Sequence, residues 1–254
     1  MAVVLLVALS GCGGQSGTDD KAKKDDGNKR ILLRVGTEPT FPPFEFHDEK
    51  DANKYVGFDM DLIRAIGKEI GYDLEINNMG FDALIPALDS GNIDVAASGI
   101  TITDERKAKV AFSNAYYDSG LTIVVLKDND EIKDFDDLKG KTIAAQIGTT
   151  GSLEASRIEG AKVKQFNTNN ESYLELKNKG VDAVINDRPV NAYFLTNGGN
   201  EYAKVVGQPR NAESYGFAVA KKNQDLVKKI NDALETLKKN GEYDKIYEKW
   251  FGKR

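Results

Sequence analysis

The sequence predicts an α/β protein of two lobes with a ligand cleft between them. Three observations carry that expectation. Short apolar runs alternate with amphipathic runs from about residue 31 onward, the pattern of parallel or mostly parallel sheets covered on both faces. The chain of 254 residues is long enough for two lobes of ordinary size. Finally, "ALDSGNIDVAASG", Ala87 to Gly99, is echoed by "LKNKGVDAVIND", Leu176 to Asp187. Both read as helix, Gly, Asp, a short apolar strand and then polar residues. Each half thus delivers polar groups at the carboxyl end of a strand, where open α/β sheets bind ligands.

The elements follow in order. "ILLRVGT" is a buried strand ending in a turn. "FDMDLIRAIGKEIGY" spaces Met60, Ile63, Ile66 and Ile70 as one helix face and stops at Gly71. "LEINNM" is a strand, "FDALIPALDSG" a helix closing at Gly91, and "IDVAAS" a strand. Thr103 suits an N-cap, with Asp104 and Glu105 in the first turn after it. Then come the strand "LTIVVL", the short helix "FDDLKG", the strand "KTIAAQ" and the helix "SLEASRI". The strand "KVKQF", the helix "SYLELKNKG", the strand "VDAVIN" and the helix "PVNAYFLTNG" continue the alternation. An amphipathic helix from Gln224 to Asn240 and a shorter one from Glu242 to Phe251 close the chain, with Trp250 and Phe251 as packing anchors.

The N-terminus reads differently. "MAVVLLVALSGC" is an apolar run ending in small residues, and a membrane-spanning helix needs about 20 apolar residues. Residues 1–11 are read as a lipoprotein-type signal peptide, since "LSGC" resembles a lipobox, with Cys12 as the lipidated residue. No Lys or Arg precedes the run, so the usual basic start is missing. Cys12 is the sole cysteine and has no partner for an internal disulfide. Residues 12–30, Gly-, Asp- and Lys-rich, read as a flexible tether.

Composition removes several classes of function. The formal charge of -5, with both signs interspersed, offers no basic stripe for nucleic acid. One His and one Cys leave no material for a His/Cys zinc site, and no metal or other cofactor is expected. His47 lies in the charged stretch "FHDEKD" and reads as a solvated loop residue.

The candidate site residues come from four places. In "SGITITDERK", Arg106 is a cation in the first helical turn, where the dipole disfavours it. It is open to two readings, a fork for a carboxylate in the cleft or a partner of Asp104 or another surface acid. Ser98, Gly99 and Thr101 precede it. Asp187 in "INDRP" ends the echoing strand and either binds an ammonium group or caps the next helix. "QIGTTGS" contributes Gln146, Thr149 and Thr150 at a helix start whose N–H groups suit an anion, a carboxylate rather than a phosphate because the P-loop Lys is absent. "EPTFPPFEF" supplies Glu38 and Phe41, with Phe81 as a possible opposite wall and Phe44 and Phe46 read as core.

Together, "VGTEPTFPPFEF", "YVGFDMDLIRAIGKEIG", "FDALIPALDSGNIDVAASGITITDERK", "FSNAYYDSG", "GTTGS", "DAVINDRP" and "NGEYDKIYEKWFG" resemble the bacterial extracellular solute-binding proteins for polar amino acids, the receptors of ABC importers. The resemblance covers the chain from Ile31 to Gly252. It implies the type II periplasmic-binding-protein fold, with two hinge strands crossing near Tyr116–Gly120 and Asn211–Tyr215. Lobe 1 is then discontinuous, residues 31–116 plus 216–254, and lobe 2 is 117–215. It further implies that Arg106 holds the ligand α-carboxylate with the Thr101 and Thr150 N–H groups. Asp187 holds the α-ammonium with the Gly99 carbonyl and Thr101 hydroxyl, Phe41 and Phe81 sandwich the side chain, and Glu38 meets its distal end. Glutamine-binding relatives often carry Lys where this chain has Gln146 and Asp where it has Glu38, whereas Glu with Gln is familiar in arginine-binding relatives. The implied partners are a free polar L-amino acid, basic ones slightly ahead of glutamine, and a membrane permease with its ATPase subunits. The expected protein is an exported, lipid-anchored monomer and not an enzyme. A lyase of the cyclohexadienyl dehydratase kind, with Glu38 as its acid, and a sensor domain for a membrane partner are the competing readings.

Overall fold

The computed structural model describes residues 31–253. Cys12, the signal segment 1–11 and the tether 12–30 lie outside the described residues. The chain opens with β1 (Leu32–Thr37), then β2 (Thr40–Phe41), β3 (Glu45–His47) and β4 (Tyr55–Val56). Helix α1 (Phe58–Ile70) buries Met60, Leu62, Ile63 and Ile66 and ends at Gly71 in the left-handed conformation. After β5 (Asp73–Asn78), a 3-10 turn over Phe81–Ala83 leads into α2 (Leu84–Ser90), which Gly91 closes in the same way. Next come β6 (Val95–Ala96), α3 (Asp104–Lys109), β7 (Val110–Phe112) and the long β8 (Tyr117–Leu126). A 3-10 turn over Phe135–Leu138 precedes β9 (Thr142–Gln146), α4 (Thr150–Arg157) and β10 (Lys162–Phe166). Then follow α5 (Asn169–Lys177), β11 (Ala183–Asp187), α6 (Arg188–Thr196) and the long β12 (Ala203–Tyr215). The last elements are β13 (Ala218–Ala220), α7 (Gln224–Lys239) and α8 (Glu242–Phe251).

Two five-stranded sheets define two lobes. Their orders are β5–β1–β6–β13–β7 and β10–β9–β11–β8–β12, with β2–β3–β4 as a small third sheet. The two large sheets have the same plan: three parallel strands, a fourth that runs against them and a fifth that runs with them. Four of the five strands in each run the same way, as expected of mostly parallel sheets, but the reversed strand makes half the pairings antiparallel. The cause is connectivity. The strand beside the parallel triplet arrives from the other lobe, at β8 and β13, so it enters from the cleft and runs the opposite way.

The sequence echo has a structural basis. β6 and β11 occupy the same place in their sheets. The Asp94 N–H donates to the Arg34 carbonyl at 2.8 Å, and the Asp94 carboxylate accepts from the Arg34 N–H at 2.9 Å. Asp182 repeats this on Thr142, with distances of 2.8 and 2.7 Å. Each Asp closes the ladder at the start of the neighbouring strand, where a main-chain donor would otherwise be unpaired.

Each sheet carries apolar cores on both faces, one in the first lobe built with α1, α7 and α8 and another with α2. The helix α7 buries Leu226, Ile230, Ala233, Leu234 and Leu237, a single 3.6-period stripe. Phe44 is fully buried, while Phe46 is half-buried against Trp250 and Tyr193. Phe251 packs on Phe44, Phe58 and Tyr117, and the Trp250 indole N–H donates to Asp61 at 2.8 Å. His47 is exposed, at the end of β3 rather than in a loop, because β4 pairs with that stretch.

The two lobes meet along a pair of antiparallel strands. Tyr117, Asp118 and Ser119 at the start of β8 pair with Tyr215, Ser214 and Glu213 at the end of β12. Two register shifts interrupt β12 further on, around Arg210. Its C-terminal end is anchored in the first lobe by the Ile102 N–H donating to the Ser214 carbonyl and, one residue beyond β12, the Gly216 N–H donating to the Ile100 carbonyl. No helix among the described residues is long and apolar enough to cross a membrane.

Candidate ligand-binding site

All eleven residues singled out from the sequence line one narrow cavity between the lobes, and Glu45 joins them. Three regions of the fold deliver them: the first-lobe segments around β1, β6 and α3, the second-lobe turn between β9 and α4, and the end of β11.

Arg106 stands at one end, buried, in a helix whose N-cap is Thr103. It does not pair with Asp104, which is held by Lys107 at 3.5 Å. Its guanidinium donates from Nη1 to the Thr101 carbonyl at 2.8 Å and from Nη2 across the cleft to the Gly148 carbonyl at 3.0 Å. The guanidinium carbon lies 5.3 Å from the Phe81 ring centre, a cation–π contact. A guanidinium has five N–H donors, so donors remain for an anion. Burial lowers its pKa, opposed by the nearby Glu213 and Asp187 carboxyls. Thr149 caps α4, its hydroxyl accepting from the Ser152 N–H at 3.2 Å, which places the first-turn N–H groups of α4 beside the cavity.

Asp187 stands at the other pole and is buried. It occupies the N-cap position of α6 but makes no capping hydrogen bond. Its Oδ1 accepts instead from the Tyr215 hydroxyl at 2.6 Å and the Ser119 hydroxyl at 3.1 Å. Burial raises its pKa, and those hydroxyls work against the rise. Gly99 at the end of β6 has φ +51 and lies against Phe41, and a Cβ there would come within 2.7 Å of that ring. Only glycine allows both the backbone turn and the aromatic wall.

The third corner is Glu38. Its carboxylate accepts from Thr40 Oγ1 at 2.8 Å and from the Gln146 amide Nε2 at 2.9 Å. Gln146 belongs to the second lobe, so this bond, like Arg106 to Gly148, spans the cleft. The same amide is fixed by donating to the Asn167 carbonyl and accepting from Asn169. Burial raises the Glu38 pKa, and the Gln146 and Thr40 donors oppose it. The Glu38 N–H donates to the Ser98 hydroxyl at 3.0 Å, which ties the wall to β6.

Sequence reasoning missed Glu45 and Glu213. Glu45 lies in the aromatic run that supplied Glu38 and Phe41. It is wholly buried, accepts from Ser98 Oγ at 3.1 Å, and is held well above the usual carboxylate range by burial and by Asp59. The alternation of Phe44, Glu45 and Phe46 was a signal that one of the three faces inward beside another acid. Glu213 sits on β12, a strand whose Gly, Pro and Asn disguise it.

Asp59 lies behind this wall. It accepts from the Gly99 N–H and the Tyr116 hydroxyl, and burial pushes its pKa up to about 6. An unfolded Asp titrates near about 3.9. Between those two values the folded state holds the proton and the unfolded chain does not, so Asp59 contributes a fall in stability as pH rises from about 4 to about 6. The Asp59→Asn variant lacks that contribution, so its unfolding free energy should gain on the wild type across that window in paired denaturation curves.

Residues 33–253 match the family described as bacterial extracellular solute-binding proteins, family 3. The chain belongs to this family. Solute-binding proteins of similar sequence include a probable histidine-binding protein of Neisseria gonorrhoeae, 37% identical over 97% of this chain and 92% of that protein. The arginine-binding extracellular protein ArtP of Bacillus subtilis (strain 168) is 34% identical over 99% of this chain and 95% of its own length. An ancestral arginine-binding protein, solved bound to arginine and also bound to glutamine, matches with TM-score 0.84 at 50% identity over 88% of this chain and 99% of that one. This solute-binding protein has the two-lobe type II fold and is exported, and the similar proteins named above are binding proteins rather than enzymes.

Proposed function

We propose that the protein is the receptor of an amino-acid ABC importer and captures a polar L-amino acid, with a basic side chain favoured over glutamine. The observation that carries this is the opposition of Arg106 and Asp187 in one buried cavity, with a third polar corner at Glu38. Arg106 takes the α-carboxylate with the Thr101 and Thr150 N–H groups. Asp187 takes the α-ammonium with the Gly99 carbonyl and the Thr101 hydroxyl. Phe41 and Phe81 flank the side chain. The similarity to binding proteins for histidine and arginine supports the same reading. The lobes, residues 31–116 with 216–254 and residues 117–215, close on the ligand about the paired strands, and the closed form delivers it to a permease with its ATPase subunits. The protein works as a monomer, held to the membrane through lipidated Cys12 and the 12–30 tether.

The preference for a basic ligand follows from charge. Glu38, Glu45 and Asp187 line the cavity against the single cation Arg106. Burial and Asp59 push the Glu45 carboxyl well up, more than burial raises Glu38, which leaves Glu38 as the acid facing the ligand's far end. A guanidinium or ammonium neutralises it, and a side-chain amide only hydrogen-bonds to it. Glutamine stays the second reading, because Gln146 already donates an amide N–H to Glu38, which shows that a neutral donor suits this carboxylate.

Isothermal titration calorimetry against the standard amino acids tests the proposal, and binding to none of them would sink it. The Glu38→Gln variant separates the two ligands. It should weaken arginine or lysine by about 10-fold or more, the scale of one hydrogen bond to a charged group, and change glutamine much less.

A further inference from the structure

Glu213 has no part in the clamp described above, yet it is 5% exposed and touches both lobes at the ammonium pole. It lies on β12 directly opposite Ser119 of β8, and Tyr215, two residues on, shares its strand face. Ser119 and Tyr215 are the two residues whose hydroxyls donate to Asp187. Glu213 completes that face, which sets its carboxyl beside that of Asp187, close enough for each to act on the other's charge. On its other side Thr101 Oγ1 donates to Glu213 Oε2 at 3.2 Å.

Two carboxyl groups side by side in a buried site cannot both be ionised, so the pair holds a proton. Asp187 accepts two hydroxyl hydrogen bonds at one oxygen, which favours its charged form. Glu213 is the member that keeps the proton, and burial together with the Asp187 charge pushes its carboxyl up. Arg106 is the cation nearby, and it acts on both acids. A carboxylic acid both donates and accepts. The O–H of Glu213 serves Asp187, and its carbonyl oxygen takes the Thr101 hydroxyl proton. With that proton committed, the Thr101 lone pairs are free to face the cavity.

We propose that Glu213 is the positioning residue of the ammonium pole, a neutral acid that donates to Asp187 and accepts from Thr101 and so aims both of them at the ligand's α-ammonium. This rests on the amino-acid reading of the cleft. Glutamine at 213 keeps one donor and one acceptor in nearly the same shape, whereas leucine keeps neither.

The test compares the full protein with Glu213→Gln and Glu213→Leu. Infrared difference spectra at neutral pH should show that one component of the protonated-carboxyl absorption of the wild type is lost in Glu213→Gln. Calorimetry with the amino acid identified for the wild type should find Glu213→Gln close to wild type. Glu213→Leu should bind about 10- to 100-fold more weakly, the scale of a lost hydrogen bond to a charged group. The α-hydroxy-acid analogue, which lacks the ammonium, should lose little in Glu213→Leu. The proposal is overturned if no band is lost in Glu213→Gln, if Glu213→Gln binds as weakly as Glu213→Leu, or if Glu213→Leu weakens both ligands equally. Should Glu213→Leu fail to fold, the band and the Glu213→Gln affinity still decide. A wild type that binds no amino acid would instead remove the reading of the cleft, and the infrared band would still report whether Glu213 holds the proton.

Discussion

Replacing Arg106 by alanine is expected to weaken amino-acid binding by about 2–5 kcal/mol, the cost of truncating one partner of a buried, hydrogen-bonded charge pair. Two losses combine. The ligand carboxylate would be buried without its cation, and the Thr101 and Gly148 carbonyls would lose their donor. The second loss also removes a bond that ties one lobe to the other. Arg106→Lys keeps the charge and gives up the two-pronged geometry, so its affinity should fall between wild type and alanine. Calorimetry on both variants checks this, and an unchanged affinity in Arg106→Ala would refute the carboxylate role.

The second large effect is on stability. Phe44→Ala should lower the unfolding free energy by about 3–5 kcal/mol, the usual range for deleting a fully buried aromatic ring. Phe44 is 0% exposed. Its ring centre lies 4.9 Å from that of Tyr117, 5.1 Å from Tyr215 and 5.4 Å from Phe251. It therefore joins both crossing strands to the last helix, and it backs the Phe41 wall at 5.7 Å. Phe46→Ala, at a half-buried ring, should cost clearly less. Urea unfolding of the two variants side by side measures the difference, and equal losses would contradict the placement of Phe44 as the central ring.

Much of this fold was legible because its helices carry strong local signals. Thr103, Gly71 and Gly91 mark helix ends by hydroxyl capping and left-handed backbone, and both are local properties. The strands Val110–Phe112 and Ala218–Ala220 were not legible. Three residues are too few to show a period, and their pairing is decided by segments about a hundred residues away. Ala203–Tyr215 was recognised only at its end, because "VGQPRNAE" reads as a turn and only the β8 partner makes it a strand. "IDVAAS" shrank to Val95–Ala96 for the opposite reason, since its flanks are used for the Asp94 bridge and the cavity wall.

The site divides in the same way. Arg106 stood out because a cation in a first helical turn breaks a local preference, and Asp187 because it ends the strand that echoes the one before Ser98. Glu38 and Gln146 were picked out in their own stretches, their part in choosing the side chain came with the family resemblance, and the bond between them is a tertiary fact no spacing reveals. Glu213 stayed hidden because one more acid in a charged, turn-like stretch looks like surface.

The sheet orders also bear on how the chain can assemble as it emerges from its N-terminus. Every strand of the second sheet comes from one unbroken stretch, residues 117–215. The first sheet has β13 between β6 and β7, and that strand is made only at Ala218–Ala220. Until then the first sheet has a gap, and the face that later meets α7 and α8 stays bare. The lobe that begins the polypeptide is therefore the last to be finished. A growing chain would carry a complete second sheet on an unfinished first one, with Phe58 lacking its Tyr243, Tyr247 and Phe251 neighbours until the final helix arrives.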